Sequence, residues 1–182
     1  TRFRNVTGVQ TCALPICAAG GASWYRFHAL TADPAVRDVS VSSPVPGEVL
    51  VAVLSTVGTG LASAELLEAV DAVLQSDSVR VLTDTVQTTG ATITTVPVTA
   101  SIYLLPDTPT TVFDGLQAAL TAAFAAQSGL GWNVTRSWLI ATLHTAGVQR
   151  VELTAPAADV ICDPATAPAL GTITLSFAGV DR

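Results

Sequence analysis

Apolar and polar positions in the first half of the chain predict two strands, a helix and a further strand. Pro46-Gly47 is a turn dipeptide between an alternating segment, Val36–Ser43, and a β-branched run, Glu48–Leu54. The two flanks of this turn predict a β-hairpin. Ser63–Gln75 then places apolar residues at helical spacing behind a serine suited to cap the helix. A return strand is predicted over Val79–Val86.

The second half shows a similar pattern without repeating the sequence. Ile93–Leu105 alternates as a strand, and Pro97 indicates that its first half is a sheet edge, because proline has no amide hydrogen to donate. A near capping box at Thr111 and Asp114 predicts the start of a long helix. The remaining predicted elements are a helix over Arg136–His144 capped by Thr135, a strand over Val148–Leu153, a loop over Pro156–Pro168 and a strand over Thr172–Phe177.

These elements predict an α+β chain made of two tandem small α/β sandwich units. With the end of a helix at Ser23–Leu30, the first unit spans residues 18–89 in the order α-β-β-α-β. The second unit spans residues 90–182 in the order β-α-α-β-β. Each unit is expected to have ferredoxin-like layers, in which helices cover one face of a sheet.

Five motifs stand in a fixed order along the two units. The first three are SPVPGEVLV.VLS, SAELLEAVDAVL and VRVLTDTV, and the last two are ITTVPVTASIYLLP and GWNVTRSWLIATLHTAGVQRVEL. This ordered set resembles the baseplate J family of contractile phage tails, from about Ala18 to Arg182. It is similar to the carboxy-terminal half to two-thirds of a J protein, so the chain is expected to lack an amino-terminal part.

The resemblance implies a structural role in a phage tail baseplate or a related contractile injection particle. A protein of this family is expected to join baseplate wedges into a ring, and to contact other copies of itself and neighbouring wedge proteins. The resemblance places it in the virion tail, and in the cytoplasm of the bacterial host during assembly. It carries over no catalytic residue.

The amino-terminal stretch needs a separate interpretation. Residues 6–16 resemble a translated sequencing adapter, so residues 1–17 are expected to be an artefactual or disordered tail on a gene fragment. A secretory signal and a lipoprotein box are the alternatives. Both are disfavoured, because the apolar run is short and contains Pro15, and because the bulky Ile16 stands where a cleavage site requires a small residue.

Composition narrows the possible functions. Hydrophobic residues make up 49% of the chain, which is enough for a packed core. The net charge is -6, no lysine occurs and the arginines are scattered, which argues against a nucleic-acid surface. No apolar run approaches the roughly 18 residues of a membrane span. Outside the amino-terminal stretch Cys162 is the single cysteine, which is typical of a protein from a reducing compartment.

The sequence offers little for catalysis or metal binding. His28 and His144 have no cysteine or carboxylate cluster at ligand spacing. Asp159, Cys162 and Asp163 are close in sequence, but they lack a histidine or a second cysteine. We therefore predict no catalytic, cofactor-binding or metal-binding residues, no small-molecule substrate and no enzymatic activity.

One alternative function remains open. A small α/β ligand-binding or enzymatic domain could hold its ligand in a cleft between the two units. A deep pocket lined by Trp132, His144 and Asp163 would favour this alternative.

Three residues are candidates for contact with other proteins. Trp132 and Trp138 flank the start of the second unit's short helix, where core packing also explains them. As partly exposed aromatics they would serve as anchors for a neighbouring subunit. Pro97 marks a strand edge that a partner could cover.

Overall fold

A computed structural model describes residues 20–181, so the predicted tail at residues 1–17 lies outside the described residues. The chain has four helices and six strands in this part. Contacts divide them into two compact units, one of residues 20–56 and 62–90, the other of residues 57–61 and 91–181. The elements are α1 (Ala22–Ala32), β1 (Val36–Ser42), β2 (Glu48–Ser55), α2 (Ala64–Leu74), β3 (Thr85–Gly90), β4 (Thr92–Leu104), α3 (Thr111–Gln127), α4 (Arg136–Leu143), β5 (Val148–Ala155) and β6 (Thr166–Val180).

The first unit holds a three-stranded sheet in the order β1-β2-β3. β1 and β2 form the predicted antiparallel hairpin, with Val39 opposite Val53. β2 and β3 are parallel, so α2 is the crossover of a β-α-β connection. The core lies between the sheet and the two helices, around Tyr25, Val51 and Val70.

The strand predicted over Val79–Val86 is wrong, because the third strand is Thr85–Gly90. Side chains of α1 bond to the segment before β3. These bonds stand in place of the backbone hydrogen bonds that a strand would make there. The Trp24 indole donates to Val79 O at 2.9 Å, and the Tyr25 hydroxyl bonds both Asp84 and the Val81 amide. The strand itself is rich in threonine and glutamine, and the apolar pattern did not reveal it.

The second unit holds another three-stranded sheet, in the order β5-β4-β6. β4 pairs antiparallel with β5 and parallel with β6. The α3 and α4 helices contribute Leu116, Leu120 and Leu139 to a core that includes the buried side chains of β4. The loop predicted over Pro156–Pro168 is partly wrong, because β6 already begins at Thr166.

Two of the helix caps predicted from the sequence are present, and a third is not. Ser63 Oγ accepts from the Leu66 amide, and Thr135 Oγ1 accepts from the Trp138 amide, as predicted. The capping box at Thr111 is wrong, because Thr110 is the cap and makes no side-chain cap bond. The Thr110 backbone is already helical there, a conformation that turns its side chain away from the capping geometry.

These elements confirm the predicted α+β class, with two three-stranded sheets and four helices. In residues 20–181, none of the helices has the length and apolar character needed to span a membrane.

Candidate interaction surface

Three aromatic side chains form a cluster in the second unit. Phe124 from α3 lies 5.0 Å from Trp132 and 6.1 Å from Trp138 between ring centroids, and the two tryptophans are 5.0 Å apart. All three contacts are edge-to-face, the geometry that aromatic quadrupoles favour. Phe124 is 3% exposed, whereas both tryptophans are half-buried. The tryptophans therefore pack on the core while each keeps a solvent-facing part.

The loop before α4 holds this cluster in place. Gly131 N donates to Thr166 O at 2.8 Å, which ties the loop to the start of β6. Val134 and Val160 form an isolated antiparallel bridge. Thr135 then caps α4 and sets the direction of Trp138 in its first turn. Both tryptophans are thus fixed by backbone bonds on either side.

Side chains at the two ends of α4 bond carbonyl groups of β5 and of Pro156, which directly follows it. The Arg136 guanidinium donates to Leu153 O at 2.9 Å and also to Pro156 O. His144 Nε2 lies 3.2 Å from Gln149 O. These bonds occupy carbonyl groups on the side of β5 that faces away from β4, which leaves less of that edge open to another strand.

Pro97 is exposed and lies in the first half of β4. This half pairs with β6 alone, because pairing with β5 begins only at Thr99. Proline is compatible with this position, since its missing amide hydrogen would face the side without a partner strand.

The residues considered for a metal site have other bonding partners. Asp159 Oδ1 accepts from the Arg136 amide at 2.7 Å, and the Cys162 amide donates to Asn133 Oδ1 at 2.9 Å. Burial raises the pKa of the Cys162 thiol, and the nearby Asp163 carboxylate raises it further. The thiol is therefore a weak nucleophile at neutral pH. Among residues 20–181, no three His, Cys, Asp or Glu side chains are grouped to hold a metal ion.

The three residues named for the alternative ligand pocket lie in different surroundings. Trp132 precedes α4 and packs on Phe124, whereas His144 follows the last residue of that helix and lies beside Gln149. Asp163 precedes β6, where its carbonyl accepts from the Thr166 amide.

The first unit contains a polar pair that the sequence did not reveal. Tyr25 is 0% exposed, and its hydroxyl donates to Asp84 Oδ2 at 2.7 Å and accepts from the Val81 amide at 3.3 Å. Burial raises the pKa of Tyr25 above its ordinary value of 10.0, and the bond to Asp84 raises it further. This pair fixes α1 to the segment before β3.

We expect the free energy of unfolding to fall as the pH rises above about 10, because the folded state holds the Tyr25 proton more tightly than the unfolded state does. Below that pH both states keep the proton, so the contribution is fully present. Tyr25→Phe should remove this alkaline loss and cost about 1–3 kcal/mol at neutral pH, since Asp84 and the Val81 amide lose their partner. Urea titrations from pH 7 to 11 measure both effects.

Tyr103→Phe is the matched control, because Tyr103 reaches Glu152 only at 3.5 Å on the surface. This variant should keep the alkaline loss. Equal pH profiles for wild type and Tyr25→Phe would contradict the assignment.

Two models of known protein families match this chain. The model of the baseplate J-like central domain matches residues 18–106, and the model of the baseplate J-like protein C-terminal domain matches residues 96–176. The chain belongs to the baseplate J-like family. The predicted resemblance is thereby confirmed over nearly the whole described chain.

One relative in sequence and one solved structure are also similar to this chain. Baseplate protein J of Escherichia phage P2 is 37% identical over 157 residues, which make up 84% of this chain and 51% of the phage protein. The chain therefore spans about half the length of that relative. A chain of the anti-feeding prophage baseplate, solved by cryo-electron microscopy with 6-fold symmetry, shares the fold with a TM-score of 0.62. That match has 17% identity and covers 88% of this chain and 40% of the other.

Proposed function

We propose that this baseplate J-like chain is a structural component of a phage tail baseplate or of a related contractile injection particle. The observation that carries the proposal is the order of the two family matches, which together cover residues 18–176 without a gap. The phage P2 relative supports it, since that protein is a baseplate protein. We assign the chain no enzymatic role.

The proposed partners are other copies of this chain and neighbouring baseplate wedge proteins. Trp132 and Trp138 are the proposed contact residues of the second unit, because each is held rigidly on the core with part of its ring exposed. Rigid, partly exposed tryptophans lose little conformational entropy on binding and are common interface hot spots. Pro97 is a third proposed contact, on the half of β4 that has a free side.

We propose the virion tail as the location, and the host cytoplasm as the place of assembly. An antibody raised against residues 20–181 should label the baseplate end of tails in negative-stain electron microscopy of the particles that carry this chain. Label confined to the capsid or the tail tube would refute the proposal.

The tryptophan surface predicts weak self-association. Light scattering across a concentration series should show oligomers, and Trp132→Ala should raise the dissociation constant about tenfold or more, the effect of a hot-spot residue. Helicity by circular dichroism should stay near wild type, because Trp132 lies before α4.

Trp24→Ala is the matched control for this experiment. Trp24 is also half-buried, but it belongs to the first unit and bonds Val79 O. It should leave the association unchanged. A protein that stays monomeric at every concentration, with and without Trp132, would move the contacts to other wedge proteins and away from copies of this chain.

A further inference from the structure

The outer side of β6 carries backbone groups that face away from the sheet. Even-numbered residues of β4 bond toward β6, as Thr92 N to Ala165 O and Asp181 N to Leu104 O show at the two ends. In a parallel ladder the residue opposite such a position turns its own amide and carbonyl to the other side. Those opposite residues are Ile173, Leu175 and Phe177, which pair with Val98, Ala100 and Ile102.

The start of β6 is covered, but the rest is open. Gly131 N donates to Thr166 O, and Ser128 Oγ donates to Pro168 O at 3.0 Å, so the loop before α4 occupies this part of the edge. From residue 170 to residue 180, no backbone hydrogen bond on the outer side is made within residues 20–181. At about 3.3 Å per residue this leaves an edge of roughly 35 Å.

A groove with mixed polar and apolar walls runs beside this open edge. It lies between α3 and β6, has a volume of ≈ 360 Å³ and is lined by Phe113, Asp114, Gln117, Ile173, Thr174 and Leu175. Phe113 meets Phe177 edge-to-face at 6.1 Å, and Phe177 remains 47% exposed. On the opposite face of the strand, Ser176 contacts Ser101. A strand added here would therefore lie beside the partly exposed side chains of Phe113, Leu175 and Phe177 on one face and beside the serines on the other.

Charge indicates which kind of strand fits. Residues 164–180 carry no charged side chain, so the edge lacks the charged residues that usually block strand addition. Asp114 is the only charged residue that lines the groove. Residues 91–181 contain six acidic residues and two arginines.

Both of these arginines already have partners. Arg150 pairs with Glu152 at 3.1 Å and with Asp181 at 3.5 Å, and Arg136 bonds carbonyl groups near β5. A second acidic copy therefore fits the edge less well than a strand that carries a basic residue.

We propose that the open edge of β6 binds an extended segment of another protein by strand addition. The segment alternates apolar and polar residues, places its apolar side toward α3 and carries a lysine or arginine near Asp114. Main-chain bonds to Ile173, Leu175 and Phe177 supply the affinity, and the groove supplies the selectivity. The proposal goes beyond the baseplate role and does not rest on it, so its failure leaves the family assignment unchanged.

Amide hydrogen exchange on the full chain tests this proposal directly. The amides of Ile173, Leu175 and Phe177 should exchange much faster than those of Thr174 and Ser176, which bond to β4. The probe is a capped nonapeptide of alternating valine and threonine with a lysine at each end. At saturation it should slow the three outward amides by about tenfold or more, as a newly formed ladder does.

A counterpart peptide with glutamate at each end tests the charge. It should bind about threefold more weakly, which is the size of one exposed ion pair. Asp114→Asn should remove most of this preference without changing the exchange of the free protein.

A pair of variants at Leu175 separates backbone from side chain. Both Leu175→Pro and Leu175→Ala remove the leucine side chain. Only Leu175→Pro also removes the outward amide hydrogen. Binding of the lysine peptide should be lost in the first and weakened only partly in the second. If Leu175→Pro does not fold, the exchange comparison of the wild-type protein still decides.

Three results would overturn the proposal. Outward amides that are already protected in the dilute free protein would show that the edge is covered. Protection that rises with protein concentration alone would make a second copy the occupant. Equal affinity for the lysine and glutamate peptides would exclude a basic segment as the preferred partner.

Discussion

Phe124→Ala is expected to lower the free energy of unfolding of the second unit by about 3–5 kcal/mol, the range for truncating a buried phenylalanine. Phe124 is 3% exposed and contacts both tryptophans as well as the core. Loss of the Phe124 ring leaves a cavity. The two half-buried indole rings cannot fill it without moving from their positions on the core. Urea unfolding followed by circular dichroism measures the change.

Phe177→Ala is the control for that experiment. This phenylalanine also has an edge-to-face partner, Phe113, but it is half-exposed. We expect Phe177→Ala to lower the free energy of unfolding by about 1 kcal/mol, mostly through loss of the aromatic pair. If both variants lose the same stability, the aromatic cluster at Trp132 and Trp138 is not a packed part of the core.

Gly147→Ala is expected to cost about 2–4 kcal/mol, from backbone strain and from overpacking together. Gly147 has a φ of +96°, a conformation that L side chains rarely adopt. A methyl group there would lie 2.6 Å from Thr108 Cγ2 and 3.1 Å from its Oγ1. The turn between α4 and β5 would have to shift. The hydrogen bond from the Leu105 amide to Gly147 O opposes that shift.

Two further variants separate the causes. Gly131→Ala has a φ of +70° and its nearest atom at 3.5 Å, so it should show the strain alone, about 1–2 kcal/mol. Thr108→Ala combined with Gly147→Ala should recover the overpacking part, because the remaining Cβ is 3.5 Å away. If the double variant is no more stable than Gly147→Ala, contact with Thr108 is not the cause.

The sequence predicted the elements whose signal is local. The β1-β2 hairpin, the α2 helix and the capping roles of Ser63 and Thr135 all depend on neighbours within a few residues, and all are present. Hydrophobic periodicity and capping chemistry are readable without knowing the fold.

The errors have a different cause. The segment from Val79 to Asp84 has the apolar pattern of a strand, but Trp24 and Tyr25 bond it from more than 50 residues away. Thr85–Gly90 has a weak strand pattern, and its pairing with β2 decides its structure. Such long-range partners cannot be read from spacing alone.

The candidate surface shows the same division. Trp132 and Trp138 were identifiable as aromatics that flank the start of α4, but their contacts with Phe124 depend on the packing of α3 and α4. The open side of β6 depends on strand order and ladder phase, which only the folded chain defines.

The bonds that Arg136 and His144 make to β5 make the two edges of the second sheet different. One side has carbonyl groups that are already occupied by side chains, and within residues 20–181 the other side has none occupied beyond Pro168. Fibres that grow edge to edge need both sides, since each copy must accept a strand and offer one. A sheet whose two sides differ in this way should accept a strand more readily at β6 than at β5, and this asymmetry would limit repeated edge-to-edge addition.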